Sequence, residues 1–175
     1  MSDSGEIINR VASSGLITIN LEDFLSVGDR VQIDVASHLF QGLVLKEKDF
    51  RAFLEEEDWA KYNGKNVSII CSADAIVPTW AFMLIITHLS GIADHVTFGT
   101  YDELERELFL KRLAKVDPEE YRDARVVIKG CSNFPVPISA YCELTRLLTP
   151  VVKSLMFGEP CSTVPLFKKK KLSAK

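Results

Sequence analysis

Four of the 175 residues are cysteine, and three of them stand where a predicted element gives way to a turn. Cys71 closes the apolar run Asn66-Val-Ser-Ile-Ile, and Cys131 closes Arg125-Val-Val-Ile-Lys-Gly. Cys161 lies in the turn-rich stretch Gly158-Glu-Pro-Cys-Ser-Thr-Val-Pro. In open α/β sheets ligands bind outside the carboxyl ends of the strands, so two of these thiols point at the usual site. Soft metals and iron–sulfur centres select thiolates. Convergence of Cys71, Cys131 and Cys161, with Asp74 as a hard ligand beside them, is the expected arrangement for zinc, iron or an iron–sulfur cluster. A mononuclear zinc site would hold its sulfurs about 2.3 Å from the metal, and so within roughly 4 Å of one another.

Each of these residues also has a plainer reading. A thiol between a strand end and a helix N-terminus feels the positive end of the helix dipole, which favours the thiolate nucleophile of a cysteine enzyme. Free cysteine is equally at home as a small buried core residue, with Asp74 as a helix cap. Cys142 sits inside a helical stretch beside Tyr141, Leu144 and Thr145 and reads as structural. His88 lies in an apolar helix, while His38 ends one predicted strand and His95 begins another. A Cys–His–Asp arrangement has no local support. The sequence contains no C-x-x-C, G-x-G-x-x-G, Walker-type or H-E-x-x-H motif, so zinc-ribbon, nucleotide and zincin chemistry lack a sequence basis.

The elements that must position these groups follow from periodicity. Glu6–Ser13 reads as a short amphipathic helix. Residues 16–21 and 31–35 alternate apolar and polar side chains and read as an antiparallel pair, and the state of residues 38–45 stays open. Lys46–Glu57 reads as a surface helix, 66–71 as a strand, and Asp74–Leu89 as a buried helix with Pro78 in its first turn. A strand over 95–99 and a helix over Tyr101–Val116 follow, the latter with Leu104, Leu108 and Leu113 inward and a Glu107→Lys111 pair. Asp117-Pro118 reads as a cap and first residue of one more turn. A strand over 125–130, a helix over Ser139–Leu148 and a second helix from Thr149-Pro150 to Gly158 complete the chain. This order predicts a single-domain α/β layered sandwich over residues 1–167. Its sheet is mixed and mostly parallel, with helices on both faces and an N-terminal antiparallel pair. No internal repeat, linker or domain boundary is evident.

Composition sets outer bounds. A hydrophobic share of 47% and a charged share of 26% fit an ordinary globular domain. The acidic N-terminus lacks the apolar run of a signal peptide, and the uncharged stretch from Ala75 to Leu89 is shorter than the roughly 20 residues of a membrane span. A cytoplasmic protein with reduced thiols and no membrane partner is expected. The tail Lys168-Lys-Lys-Lys-Leu-Ser-Ala-Lys carries five of the 21 basic residues and no acid, and reads as disordered over 168–175. The body before it is acidic, which argues against nucleic acid as a partner.

Four strings carry a resemblance: Cys71-Ser-Ala-Asp-Ala-Ile-Val-Pro-Thr-Trp-Ala, Ala124-Arg-Val-Val-Ile-Lys-Gly-Cys, Pro135-Val-Pro-Ile-Ser-Ala-Tyr and Met156-Phe-Gly-Glu-Pro-Cys-Ser-Thr-Val-Pro. Over nearly its whole length the chain resembles a family catalogued as domain of unknown function 2480, found mainly in Bacteroidetes. Cys71, Cys131 and Cys161 fall in the family's motifs, whereas Cys142 stands where the family uses Val. The resemblance brings no activity. Genes of the iron–sulfur assembly system lie beside those of family members, which implies an accessory role there with assembly proteins as partners. The element order also resembles small signalling domains of the anti-sigma-antagonist type, in fold alone, which implies a non-catalytic protein-interaction module instead.

Overall fold

A computed structural model describes residues 15–130 and 134–170. The chain there forms seven strands: β1 (Leu16–Asn20), β2 (Arg30–Asp34), β3 (Asn66–Ile70), β4 (His95–Phe98), β5 (Arg125–Lys129), β6 (Ser154–Glu159) and β7 (Ser162–Lys168). Four α-helices accompany them: α1 (Glu47–Glu56), α2 (Thr79–Leu89), α3 (Tyr101–Leu113) and α4 (Ile138–Leu148). The fold is α/β, as the alternation of strands and helices implies. The helix expected over Glu6–Ser13 and residues 171–175 of the basic tail lie outside the described residues, whereas Lys168 of that tail ends β7 and the Lys169 amide donates to Lys153 O. Among those residues no helix is long and apolar enough to cross a membrane.

The strands belong to two compact units. A contiguous unit, Ser26–Leu108, holds the parallel sheet β2-β3-β4. A split unit, Met1–Leu25 with Phe109–Lys175, holds the sheet β1-β5-β6-β7, parallel except for the antiparallel β6–β7 pair. The core of the contiguous unit gathers Ile33, Val35, Phe50, Leu54, Val67, Ile69, Ile85 and Leu89. That of the split unit gathers Ile19, Leu21, Phe109, Val126, Ile128, Leu144, Leu148 and Leu155.

Two expectations are corrected. β1 and β2 are not an antiparallel pair, because each runs parallel to a different partner, β1 with β5 and β2 with β3. Alternation says which face a strand buries and not which strand it joins. Each of the two strands passes straight into a 3-10 helix, Leu21–Phe24 or Val35–His38, whose first residue is fully buried. The antiparallel pair stands at the other end of the chain. The helix expected from Thr149 to Gly158 is likewise replaced, by β6. The amides of Val151 and Val152 both donate to Leu148 O and close α4, and Lys153 N–H then donates to Ala124 O at 2.8 Å and delivers the chain to β5.

An internal repeat, absent from the sequence reading, is plain in the structure. The contiguous unit runs 3-10 helix Trp59–Tyr62, β3, α2, β4; the split unit runs 3-10 helix Pro118–Tyr121, β5, α4, β6. Corresponding elements begin 59 residues apart (Asn66 to Arg125, Thr79 to Ile138, His95 to Ser154). The matches extend to detail. Asp58 and Asp117 each cap their 3-10 helix, accepting from the amides of Ala60 and Glu119. Pro78 and Pro137 each precede their helix in extended backbone and accept from the amides of Ala81 and Ala140. Phe82 meets Phe98 edge-to-face, as Tyr141 meets Phe157. β1 with its 3-10 helix likewise matches β2 with its own. The same supersecondary unit has been built twice, and β7 is an addition to the second copy alone.

Candidate functional site

The carboxyl ends of β2, β3 and β4 form one rim of the contiguous unit, where a parallel sheet most often places its ligands. Asp34 ends β2, and Ser72 follows β3 by two residues. Asp34 Oδ1 accepts from the amides of Ala36 at 2.9 Å and Ser72 at 3.0 Å, while its Oδ2 accepts from the Ser72 hydroxyl at 2.5 Å. Partial burial pushes the Asp34 carboxyl up. The hydrogen bonds from Ser72 and Ala36, with His38 nearby, outweigh this and leave it below its ordinary value.

This clamp fixes the start of the connection that carries the chain from Cys71 to Pro78. The segment is not the first turn of a helix, as periodicity suggests. Proline disfavours helical backbone in the residue before it, and Val44 forms a parallel bridge with Ile76 that holds the connection extended. α2 therefore starts only at Thr79. The result is an exposed apolar group. Ile76 is 92% exposed, and beside it Val44 (57%) pairs with Phe40 (46%) around the tight turn that also presents Leu43 (62%). Lys46 Nζ lies 3.1 Å from the centre of the Phe40 ring and screens one side of it. Phe98, at the end of β4, is 62% exposed and rests on Phe82.

The residues singled out for chemistry are placed as follows. Cys71 is half-buried, packs on the core of its unit, and directs its thiol to Ala73 O at 3.6 Å. Asp74 is exposed in the same connection. Cys161 is exposed in the turn between β6 and β7, in the other unit. Cys131 lies outside the described residues. Among the described residues no group of three or more His, Cys, Asp or Glu side chains could hold a metal ion.

The histidines are engaged elsewhere. His38 stacks on Phe53 at 3.6 Å, His88 on Trp59 at 4.8 Å, and His95 Nε2 lies 3.1 Å from Glu107 Oε2. Burial lowers the affinity of His38 for a proton, against the pull of Glu57 and Asp34. Glu107, expected to pair with Lys111, instead also accepts from the Thr97 hydroxyl at 2.7 Å.

Cys142, read as structural, is exposed on α4 and lines an apolar cavity of about 700 Å³ with Ile138, Tyr141, Phe157 and Leu166. Sequence reasoning also missed Asp34 and Ile76. The signal for Ile76 was Pro78, which excludes a helix reaching back to Asp74.

A family model described as "Protein of unknown function (DUF2480)" matches residues 5–169. No curated protein and no solved structure matches the chain.

Proposed function

Starting from the chain's membership of the family DUF2480, whose model spans residues 5–169, we propose that this protein is a non-catalytic protein-interaction module. Its docking face is the apolar rim of the contiguous unit. The observation that carries this reading is the exposure of Phe40, Leu43, Val44 and Ile76 side by side on backbone held by the Asp34–Ser72 clamp. Contiguous exposed apolar side chains raise the cost of a free surface, and they recur where a partner covers them. The occupant is a protein segment that buries an apolar side chain against Ile76. The connection is held by the Asp34–Ser72 hydrogen bonds and the Val44–Ile76 bridge, which lowers the ordering needed on binding. In the split unit the corresponding connection also exposes a large apolar residue, Phe134, at 57%.

The test uses the full chain in its source cells. Native complexes are sized by gel filtration, and Ile76→Asp and Leu43→Asp are compared with the parent. The expected result is that the chain moves from a larger complex to its own size in both variants while melting normally. An unchanged elution position would refute the reading.

A second reading has one observation in its favour. The step Cys-Ser follows β3 as Cys71-Ser72, and in the sequence it recurs after β5, one residue later relative to the repeat, as Cys131-Ser132. One thiol near the carboxyl end of the central strand of each copy, with Cys161 as a third, fits a metal or iron–sulfur role accessory to cluster assembly. Metal and sulfide analysis of protein purified without oxygen tests it. Stoichiometric metal that disappears in a variant with Cys71, Cys131 and Cys161 all changed to Ser supports this role, and metal-free protein removes it.

A further inference from the structure

The two copies treat one feature in opposite ways. At the amino ends of β2, β3 and β4, Arg30, Asn66 and His95 stand in one cross-strand row. The positive charge of that row is answered by α3. Arg30 Nε donates to Glu105 Oε1 at 2.5 Å and its Nη2 to Glu105 Oε2 at 3.2 Å, while Glu107 meets His95. The matching row of the split unit is Leu16, Arg125 and Ser154, and β7 extends it with Lys168. Together with Lys153 and Lys169 it borders a cavity of about 430 Å³ floored by Met156, Pro165 and Phe167. Asp123 accepts from Lys169 Nζ at 3.0 Å. Among the described residues no carboxylate lies within ion-pair distance of Arg125, Lys153 or Lys168, although Lys153 also acts on the Asp123 carboxylate from farther off.

The scaffold does not require these charges. The positions matched to Arg125 and Lys153 are Asn66 and Asp94 in the contiguous unit. Asn66 there is buried and donates through its side chain to Val27 O. Lys168 and Lys169 arrive with β7, which has no counterpart in the other copy. A net-acidic chain has thus concentrated positive charge around one cavity with an apolar floor.

We propose that this cavity docks an acidic segment of a partner protein. At least two of the segment's carboxylates answer the row Arg125–Lys168, as Glu105 and Glu107 answer the matching row, and an apolar side chain rests on Met156 and Phe167. Neighbouring strands stand about 4.8 Å apart, so the row spreads its charge over roughly 10 Å. That spread suits carboxylates on successive side chains better than one compact phosphate. The inference concerns the split unit and is independent of the apolar rim proposed above.

The test uses the full chain and a synthetic peptide of alternating Glu and Leu, followed by titration calorimetry and amide chemical shifts. Saturable binding is expected, with shifts centred on Arg125, Ser154 and Lys168 and with affinity falling as salt is raised. Reversing Lys153 and Lys168 together to Glu should weaken binding about 100-fold, whereas Lys111→Glu leaves it unchanged. If the double reversal melts early, Lys153→Gln with Lys168→Gln replaces it, with about a tenfold loss expected. No binding of the peptide, binding indifferent to these changes, or tighter binding of tripolyphosphate, single-stranded DNA or phosphatidylserine vesicles would each overturn the proposal.

Discussion

The hydroxyl of Tyr141 lies so close to Gly130 that a methyl group at residue 130 would collide with it. In the contiguous unit the same two positions hold Cys71 and Phe82. The copy with a side chain at the strand end has a ring without a hydroxyl. Bulk has moved from one partner to the other, as close packing demands. This exchange also gives Cys71 a packing role, whatever chemistry its thiol has. Gly130→Ala should lower stability by about 1–3 kcal/mol in urea titration. Adding Tyr141→Phe removes the colliding oxygen, and the two changes should be non-additive. Strict additivity of the two changes would show that the hydroxyl is not the obstacle.

Asp34→Ala removes the acceptor of three hydrogen bonds and should cost about 1.5–3 kcal/mol, measured by chemical denaturation at neutral pH. The effect should shrink in acid. The folded carboxyl sits below its ordinary value of 3.8, so its contribution is complete above that value and is lost as pH falls through the folded one. Equal slopes of stability against pH for the parent and Asp34→Asn below pH ~4 would contradict the clamp's electrostatic part.

His38 gives a second, separate pH dependence. Burial holds its proton affinity below the ordinary value of 6.5, so the unfolded chain protonates first as pH falls. Stability should therefore decline as pH drops below 6.5, until the folded imidazole also takes its proton. His38→Phe keeps a ring against Phe53 and should flatten that decline, visible as a smaller difference between melts at mildly acidic and neutral pH.

Ile76 and Ile69 should respond in opposite ways. Ile69 is fully buried, and Ile69→Ala should cost about 2–5 kcal/mol. Ile76→Asp at a 92% exposed position should stay within about 0.5 kcal/mol of the parent. A large loss at Ile76 would mean that the side chain serves the fold and not a partner.

Much of the architecture was legible. The unbroken apolar runs at β3 and β5, the inward Leu104, Leu108 and Leu113 of α3 and the Asp117-Pro118 cap all follow from local chemistry, and each is found. What local chemistry does not carry is partner choice. Ser154-Leu-Met-Phe-Gly lacks β-branched residues and reads as helix, but pairing with β5 on one side and β7 on the other makes it a strand. The repeat was hidden for a related reason. Its copies share single residues such as Tyr62 and Tyr121, Ala81 and Ala140, or Phe98 and Phe157, set apart by positions where only size or burial is kept. Of the candidate residues, Cys71 and Asp74 lie in the connection that also carries Ile76. The feature beside them, the Asp34–Ser72 contact, joins two strands that the sequence leaves far apart.

The pairing of β1 with β5 has a consequence for how the chain comes into being. Leu16 must wait for Arg125 before the split unit can close, whereas every strand of the contiguous unit lies between residues 30 and 98. On the ribosome the contiguous unit is complete and can fold while β5 is still unmade, because domains form as their residues emerge. β1 then spends that interval as an unpaired edge able to join the wrong sheet, for which β2, its own structural double, competes. Closing the longer loop is the slower event. Refolding should be biphasic, with a fast phase that survives Val67→Ala poorly and a slow phase that alone responds to Val126→Ala.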